Sequence, residues 1–179
     1  MVTEIVEFIY KIRDVLGYFT TYILFTASIF LLYGKWTFMS YYVIGYFASS
    51  LLNFLLKAII RQPRPSEDES LFDIKVKYGK RISFDKYGMP SGHAQSAFYS
   101  TIFIFCALFS NKNIYWIFAF YLLMSINCLL QRVRFHNHST IQVIAGSIVG
   151  GLFGYAMFLI SKSKLFGKLR YKDDDDAPH

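Results

Sequence analysis

Long charge-free stretches separated by short polar breaks run through the chain: Leu16 to Tyr33, Thr37 to Leu56, Ala94 to Asn111, Asn113 to Gln131 and Ser139 to Ser161 contain no Asp, Glu, Lys or Arg. About 20 apolar residues in a helix cross a hydrocarbon core of roughly 30 Å. Inside lipid only a helix or a closed barrel satisfies its own backbone. The pattern therefore predicts an all-α integral membrane protein with about five transmembrane helices. The third and fourth stretches are slightly short, which flanking aromatics or a thinned bilayer accommodate. Gly34-Lys35-Trp36 reads as a tight turn with an interfacial tryptophan, making the first two spans a hairpin. In the fifth span Gly146, Gly150, Gly151 and Gly154 form a seam suited to close helix packing.

The breaks carry the remaining organisation. Residues 1–15 mix Ile5, Phe8, Ile9 and Ile12 with Glu4, Glu7, Lys11, Arg13 and Asp14, a pattern that suits an N-terminal interfacial helix or a helical lead-in to the first span. After Lys57, prolines 63 and 65 force the second helix to stop and hold Arg64 extended. Residues 66–86 form a polar insertion in which Ile74, Val76 and Tyr78 alternate with lysines before a Tyr78-Gly79 turn, predicting a short β-hairpin that acts as a lid or rim. Residues 1–170 read as one domain. The acidic tail 171–179 resembles an epitope tag and is set aside.

Composition agrees with this picture. Hydrophobic residues make up 54% of the 179 and aromatics 20%, with a mean hydropathy of +0.34, too apolar for an ordinary soluble domain. The net charge of +7 lacks a basic stripe with an aromatic platform, so a membrane surface rather than nucleic acid is the expected partner. Cys106 and Cys128 lie inside apolar runs and read as buried thiols, not a disulfide or metal pair. No small-residue cleavage site follows the first run, so insertion through the protein's own spans is expected. Threading five spans puts residues 57–93 and 132–138 on one side, and Lys35, Lys112 and the lysines after Ser161 on the other. The second side has no acidic residue before the tail, so the positive-inside bias makes it cytoplasmic and the first side lumenal or extracytoplasmic.

That first side gathers the candidate chemistry. In Pro90-Ser91-Gly92-His93, a helix opening near Ala94 would offer free N–H groups and the positive helix end to an anion, though Pro-Ser-Gly is also an ordinary turn and cap. Lys57, Arg64 and Arg132 supply positive charge and planar donors for phosphate oxygens. His93 and His138 suit the two remaining tasks of phosphoryl transfer, attack on phosphorus and protonation of the leaving oxygen. Arg61, Arg134 and His136 fall on the same side and read as headgroup or rim contacts. Asn53, one turn before Lys57, either bonds that lysine or satisfies a neighbouring helix.

Lys57 separated by six residues from Arg64-Pro65, then Pro90-Ser91-Gly92-His93, then Arg132 separated by five residues from His138, together resemble the three motifs of the type 2 phosphatidic acid phosphatase and haloperoxidase superfamily. The runs around Asn53 to Lys57, Lys86 to Gln95 and His138 to Val143 look most like its dolichyl diphosphatase branch. The resemblance implies a membrane phosphatase needing no metal or other cofactor and acting on a lipid diphosphate. His138 would be the nucleophile that forms a phosphohistidine and His93 the general acid. Lys57, Arg64, Arg132, the Ser91 hydroxyl and the Gly92 N–H would bind phosphate. Two positions depart from the usual third motif: Gln131 replaces a serine, and Gln142 an aspartate that orients the nucleophile. The Gln142 side-chain carbonyl is expected to fix the His138 tautomer without supplying charge. A phosphatidate or phosphatidylglycerophosphate phosphatase is an alternative within the same machinery, and a silent binder of anionic lipids is one outside it.

Overall fold

The structure is a computed structural model. It describes residues 2–65, 87–109, 111 and 113–168, with the side chains of 2–3 and 165–168 left out. The hairpin expected within 66–86 and the tail 171–179 lie outside the described residues.

Among the described residues five helices follow in order: α1 Val2–Leu31, α2 Trp36–Ile60, α3 Gly92–Ala107, α4 Ile114–Arg134 and α5 Thr140–Lys168. Four of them, α1, α2, α4 and α5, are long and apolar enough to cross a membrane. The helix α3 has 16 residues, about 24 Å of axis. The expected third span thus yields a shorter helix: the charge-free run continues to Asn111, but the chain turns at Leu108 and Phe109. Of the two readings of residues 1–15, the helical lead-in holds and the separate interfacial helix does not. Residues 2–15 continue without a break into the first span. Asp14 is buried and accepts from Arg134 Nη1 at 3.1 Å, while Asn127 Nδ2 donates to Arg13 O at 2.9 Å, so the lead-in is fastened to α4.

The short α3 is the centre of the bundle and packs on all four other helices. Its polar residues are matched across helices, as a setting without water requires. Tyr42 Oη and Ser100 Oγ lie 2.7 Å apart, Tyr99 Oη donates to Tyr42 O at 2.9 Å, and Thr101 and Ser125 hydroxyls lie 2.9 Å apart. Tyr42, Tyr99, Phe103, Phe38 and Leu24 fill the core, while Phe47, Leu51, Leu123, Ile148 and Leu152 face outward. The glycine seam explains how α5 reaches α3. A Cβ on Gly146, Gly150 or Gly154 would run into the carbonyl oxygens of Ser91, Gln95 and Tyr99 respectively, whereas one on Gly151 would meet only Ile102 Cγ1 at 3.5 Å. Three of the four predicted glycines form the seam.

At one end of the bundle the chain is drawn together. Arg61 takes a left-handed conformation (φ 52°) and donates its N–H to Lys57 O, ending α2. Pro63 and Tyr87 form an antiparallel bridge, and Gly88 N–H donates to Gln62 O at 2.8 Å. Both ends of the 66–86 insertion are therefore anchored side by side. There the α2 C-terminus, the α3 N-terminus and the α4–α5 connection meet.

Candidate functional site

Each element delivers one part of a cavity of about 360 Å³ at that end of the bundle. The last turn of α2 gives Lys57, the following loop Arg64, and the first turn of α3 Gly92 and His93. Arg132 comes from the end of α4, and Asn137 and His138 from the α4–α5 connection. Lys57, Arg132 and His138 are only 2–3% exposed. Three cations and two imidazoles share a wall that, among the described residues, holds no carboxylate. Concentrating positive charge in this way is unfavourable unless the site receives an anion.

The orientation of His138 is specific. Its Nδ1 lies 2.9 Å from Gly88 O, and its Nε2 lies 3.0 Å from Arg64 Nη1. A carbonyl oxygen can only accept, so Nδ1 carries the proton and Nε2 keeps its lone pair. The ring is held neutral: burial first, then the charges of Arg64, Lys57 and Arg132, push its pKa down to about 2, against the raising effect of the Gly88 carbonyl. Arg64 Nη1 also donates to Asn137 O at 2.8 Å. Arg132 Nη1 donates to Asn137 Oδ1 at 2.8 Å, and the Arg132 guanidinium lies 5.0 Å from the centre of the Tyr18 ring. The Tyr18 and His93 rings are 6.2 Å apart, which places α1 against this site as well.

The structure brings Lys57, Arg64, Gly92, His93, Arg132 and His138 together but puts two predicted site residues to other uses. Ser91 is fully buried behind the wall and caps α3, its hydroxyl accepting from Ala94 N–H at 3.5 Å. Gln142 does not touch the His138 ring nitrogen as expected, because its oxygen is already taken. Its Oε1 accepts from Ser139 N–H at 3.1 Å while its own N–H donates to Ser139 Oγ at 3.4 Å, a reciprocal capping box that starts α5. Its Nε2 donates to Pro63 O at 2.8 Å and to Gln62 Oε1 at 3.1 Å, steadying the loop that carries Arg64. Gly88 packs so closely on this amide that a Cβ would strike it. Gln142 thus acts on His138 at one remove, through the position of the Gly88 carbonyl. Among the residues weighed for the rim, Arg134 pairs with Asp14, and Arg61 and His136 are exposed, outside the cavity wall.

Asn137 and Gly88 were missed by sequence reasoning. Asn137 stands beside His138 in a short connection between helices, where an amide commonly organises the turn, and that was the available signal. Gly88 acts through its backbone carbonyl, which every residue possesses. Asn53 does satisfy a neighbouring helix: its Nδ2 donates to Gln95 Oε1 at 2.8 Å and to Pro90 O at 3.2 Å. Gln95 in turn donates to Ser49 O at 2.7 Å, so α2 grips the start of α3.

Two curated proteins and one family are similar to the chain. The chain is 29% identical over 126 residues to lipid A 4'-phosphatase of Bacteroides thetaiotaomicron, covering 69% of this chain and 53% of that protein. It is 33% identical over 132 residues to dolichyldiphosphatase of Saccharomyces cerevisiae, covering 65% of this chain and 48% of that protein. The chain therefore spans about half the length of these curated relatives. No solved structure matches. The PAP2 superfamily profile matches residues 35–165, which include every residue lining the cavity except Tyr22 of α1, and the chain belongs to that superfamily.

Proposed function

We propose that the protein is a membrane lipid phosphatase that hydrolyses a lipid diphosphate, of the polyprenyl or dolichyl type, to the monophosphate and inorganic phosphate. His138 Nε2 attacks the terminal phosphorus, the bond to the bridging oxygen breaks, and His93 gives that oxygen its proton. Lys57, Arg64 and Arg132 hold the equatorial oxygens through the transition state, assisted by N–H groups at the α3 terminus. Water, deprotonated by His93, then attacks the phosphohistidine; the N–P bond breaks, releasing phosphate and returning His138 to its starting tautomer.

The observation that carries this reading is the state of His138: neutral, with Nδ1 engaged by Gly88 and the Nε2 lone pair in a cavity with three cations. Arg64 Nη1 lies 3.0 Å from that lone pair, so attack on phosphorus requires Arg64 to turn onto a phosphate oxygen and free the nucleophile. The diphosphate preference leans on the dolichyldiphosphatase relative and on the resemblance of the runs around Asn53 to Lys57, Lys86 to Gln95 and His138 to Val143 to that branch. The membrane setting rests on the four long apolar helices.

The test is phosphate release by purified protein in detergent with EDTA, comparing polyprenyl diphosphate, polyprenyl monophosphate and phosphatidate, with His138→Ala as control. Release mainly from the diphosphate, lost in the variant and indifferent to EDTA, is expected. Release mainly from a monophosphate would reassign the substrate. No release from any of the three by folded protein would leave an anionic-lipid binder.

A further inference from the structure

Phe19, Tyr22, Ile23, Thr26, Ala27 and Phe30 line a second, open groove of about 550 Å³ along α1. Their spacing of three and four residues sets them on one face of that helix, over about 16 Å of its axis. Tyr22 also lines the catalytic cavity, so the two spaces adjoin at that residue. We infer that this groove holds the hydrocarbon chain of the lipid whose phosphate occupies the cavity, an inference that rests on the phosphatase reading above.

An amphiphile held by its head among Lys57, Arg64 and Arg132 must send its chain into hydrocarbon by the nearest apolar path. Several helices present apolar residues to the outside, but this concave stretch shares a wall residue with the head site. Its depth also runs the right way. Tyr18 sits at the level of Arg132, Tyr22 one turn further along α1, and Phe30 two turns beyond that, away from the site end of the bundle. The path follows the outer face of α1 rather than the space between α1 and α2, where the Phe25 ring of α1 meets Tyr42, Tyr46 and Phe47 of α2 with ring centres 5.9, 4.6 and 6.3 Å apart. Phe54 and Ser50 of α2 line the same cavity as Tyr22, so the chain would pass by these residues from the head site onto the α1 face. Phe19, Tyr22 and Phe30 are 40%, 64% and 75% exposed, apolar surface that a flexible chain would cover.

The experiment is photo-crosslinking of purified protein in micelles. The probe is a polyprenyl methylenediphosphonate, which is not turned over, carrying a diazirine on its chain. Wild type is compared with Thr26→Trp, which fills the groove from an exposed position, and with Ile148→Trp, which adds the same bulk to an exposed position on α5. Crosslinks are expected to concentrate between residues 19 and 30 and to be displaced by unlabelled polyprenyl diphosphate. Their yield should fall by roughly tenfold in Thr26→Trp and hold in Ile148→Trp. Crosslinks spread over outward residues of α2, α4 and α5, or formed to a second copy of the chain, would overturn the inference, as would equal yields in both variants. Phosphate release from polyprenyl diphosphate by the same preparation separates the two proposals. Release with scattered crosslinks removes the groove and keeps the phosphatase; crosslinks on α1 without release do the reverse.

Discussion

His138 is 3% exposed and surrounded by cations, so its protonation state links the site to the stability of the fold. An unfolded-state histidine titrates near 6.5, while in the folded protein burial and the neighbouring cations push the pKa of this one down to about 2. Between those values the unfolded chain binds the extra proton, so folding stability falls as pH drops below about 6.5. His138→Gln removes the titrating group. Its melting temperature in detergent, followed from pH 7 to pH 5, should fall less steeply than that of wild type; parallel slopes would show that His138 is not held neutral. The same variant should lose turnover, because an amide cannot form the phosphohistidine. Much of this site is legible in the sequence, since paired histidines and helix-end cations are scarce residue types in an apolar chain. The partner of Nδ1 is not, because a carbonyl such as that of Gly88 leaves no mark of its own.

At the scale of elements, close approach and capping decide where side chains end up. The α3–α5 contact depends on an absent Cβ, so Gly150→Ala should lower stability by about 1–3 kcal/mol through overpacking against the Gln95 backbone. Gly151→Ala, one residue away but off the seam, should stay within about 0.5 kcal/mol of wild type. Denaturation of the two variants in one detergent reads the difference, and equal effects would remove the seam. Spacing alone marked the glycines but could not say which would face the partner helix. It also could not show that the shortest helix would occupy the centre, because a buried span and a lipid-facing one have similar hydropathy. Gln142 gives a second prediction at this scale. Gln142→Asp restores the residue more usual for the superfamily, yet the shorter acid cannot cap Ser139 and also donate to Pro63 and Gln62. Turnover should fall, on the order of 10²-fold if Arg64 and Gly88 shift by an ångström. A gain in turnover would mean that direct contact with His138 matters more than the loop this amide holds.

For the whole molecule the open choice is which way the bundle faces, and the structure sharpens the charge count on which the sequence relied. Arginines and lysines bias a loop toward the cytoplasm when they are available to the membrane surface. On the site side, Lys57 and Arg132 are buried, Arg64 is engaged by Asn137, and Arg134 and Arg13 both meet Asp14. Cations committed in this way weigh less in the bias than Lys162 and Lys164 near the end of α5, which have no acidic residue beside them in sequence. The site end should therefore face the lumen or the extracytoplasmic space. Single cysteines placed at Arg61 on the site end and at Asn113 on the other test this. Arg61 lies outside the cavity, and Asn113 begins α4 without a side-chain capping bond. In intact bacterial cells an impermeant maleimide should label Arg61→Cys and reach Asn113→Cys only after permeabilisation. The reverse pattern would turn the protein over, because both positions lie at the ends of helices whose packing fixes them to opposite faces of one bundle. A substrate would then have to be drawn from the cytoplasmic leaflet.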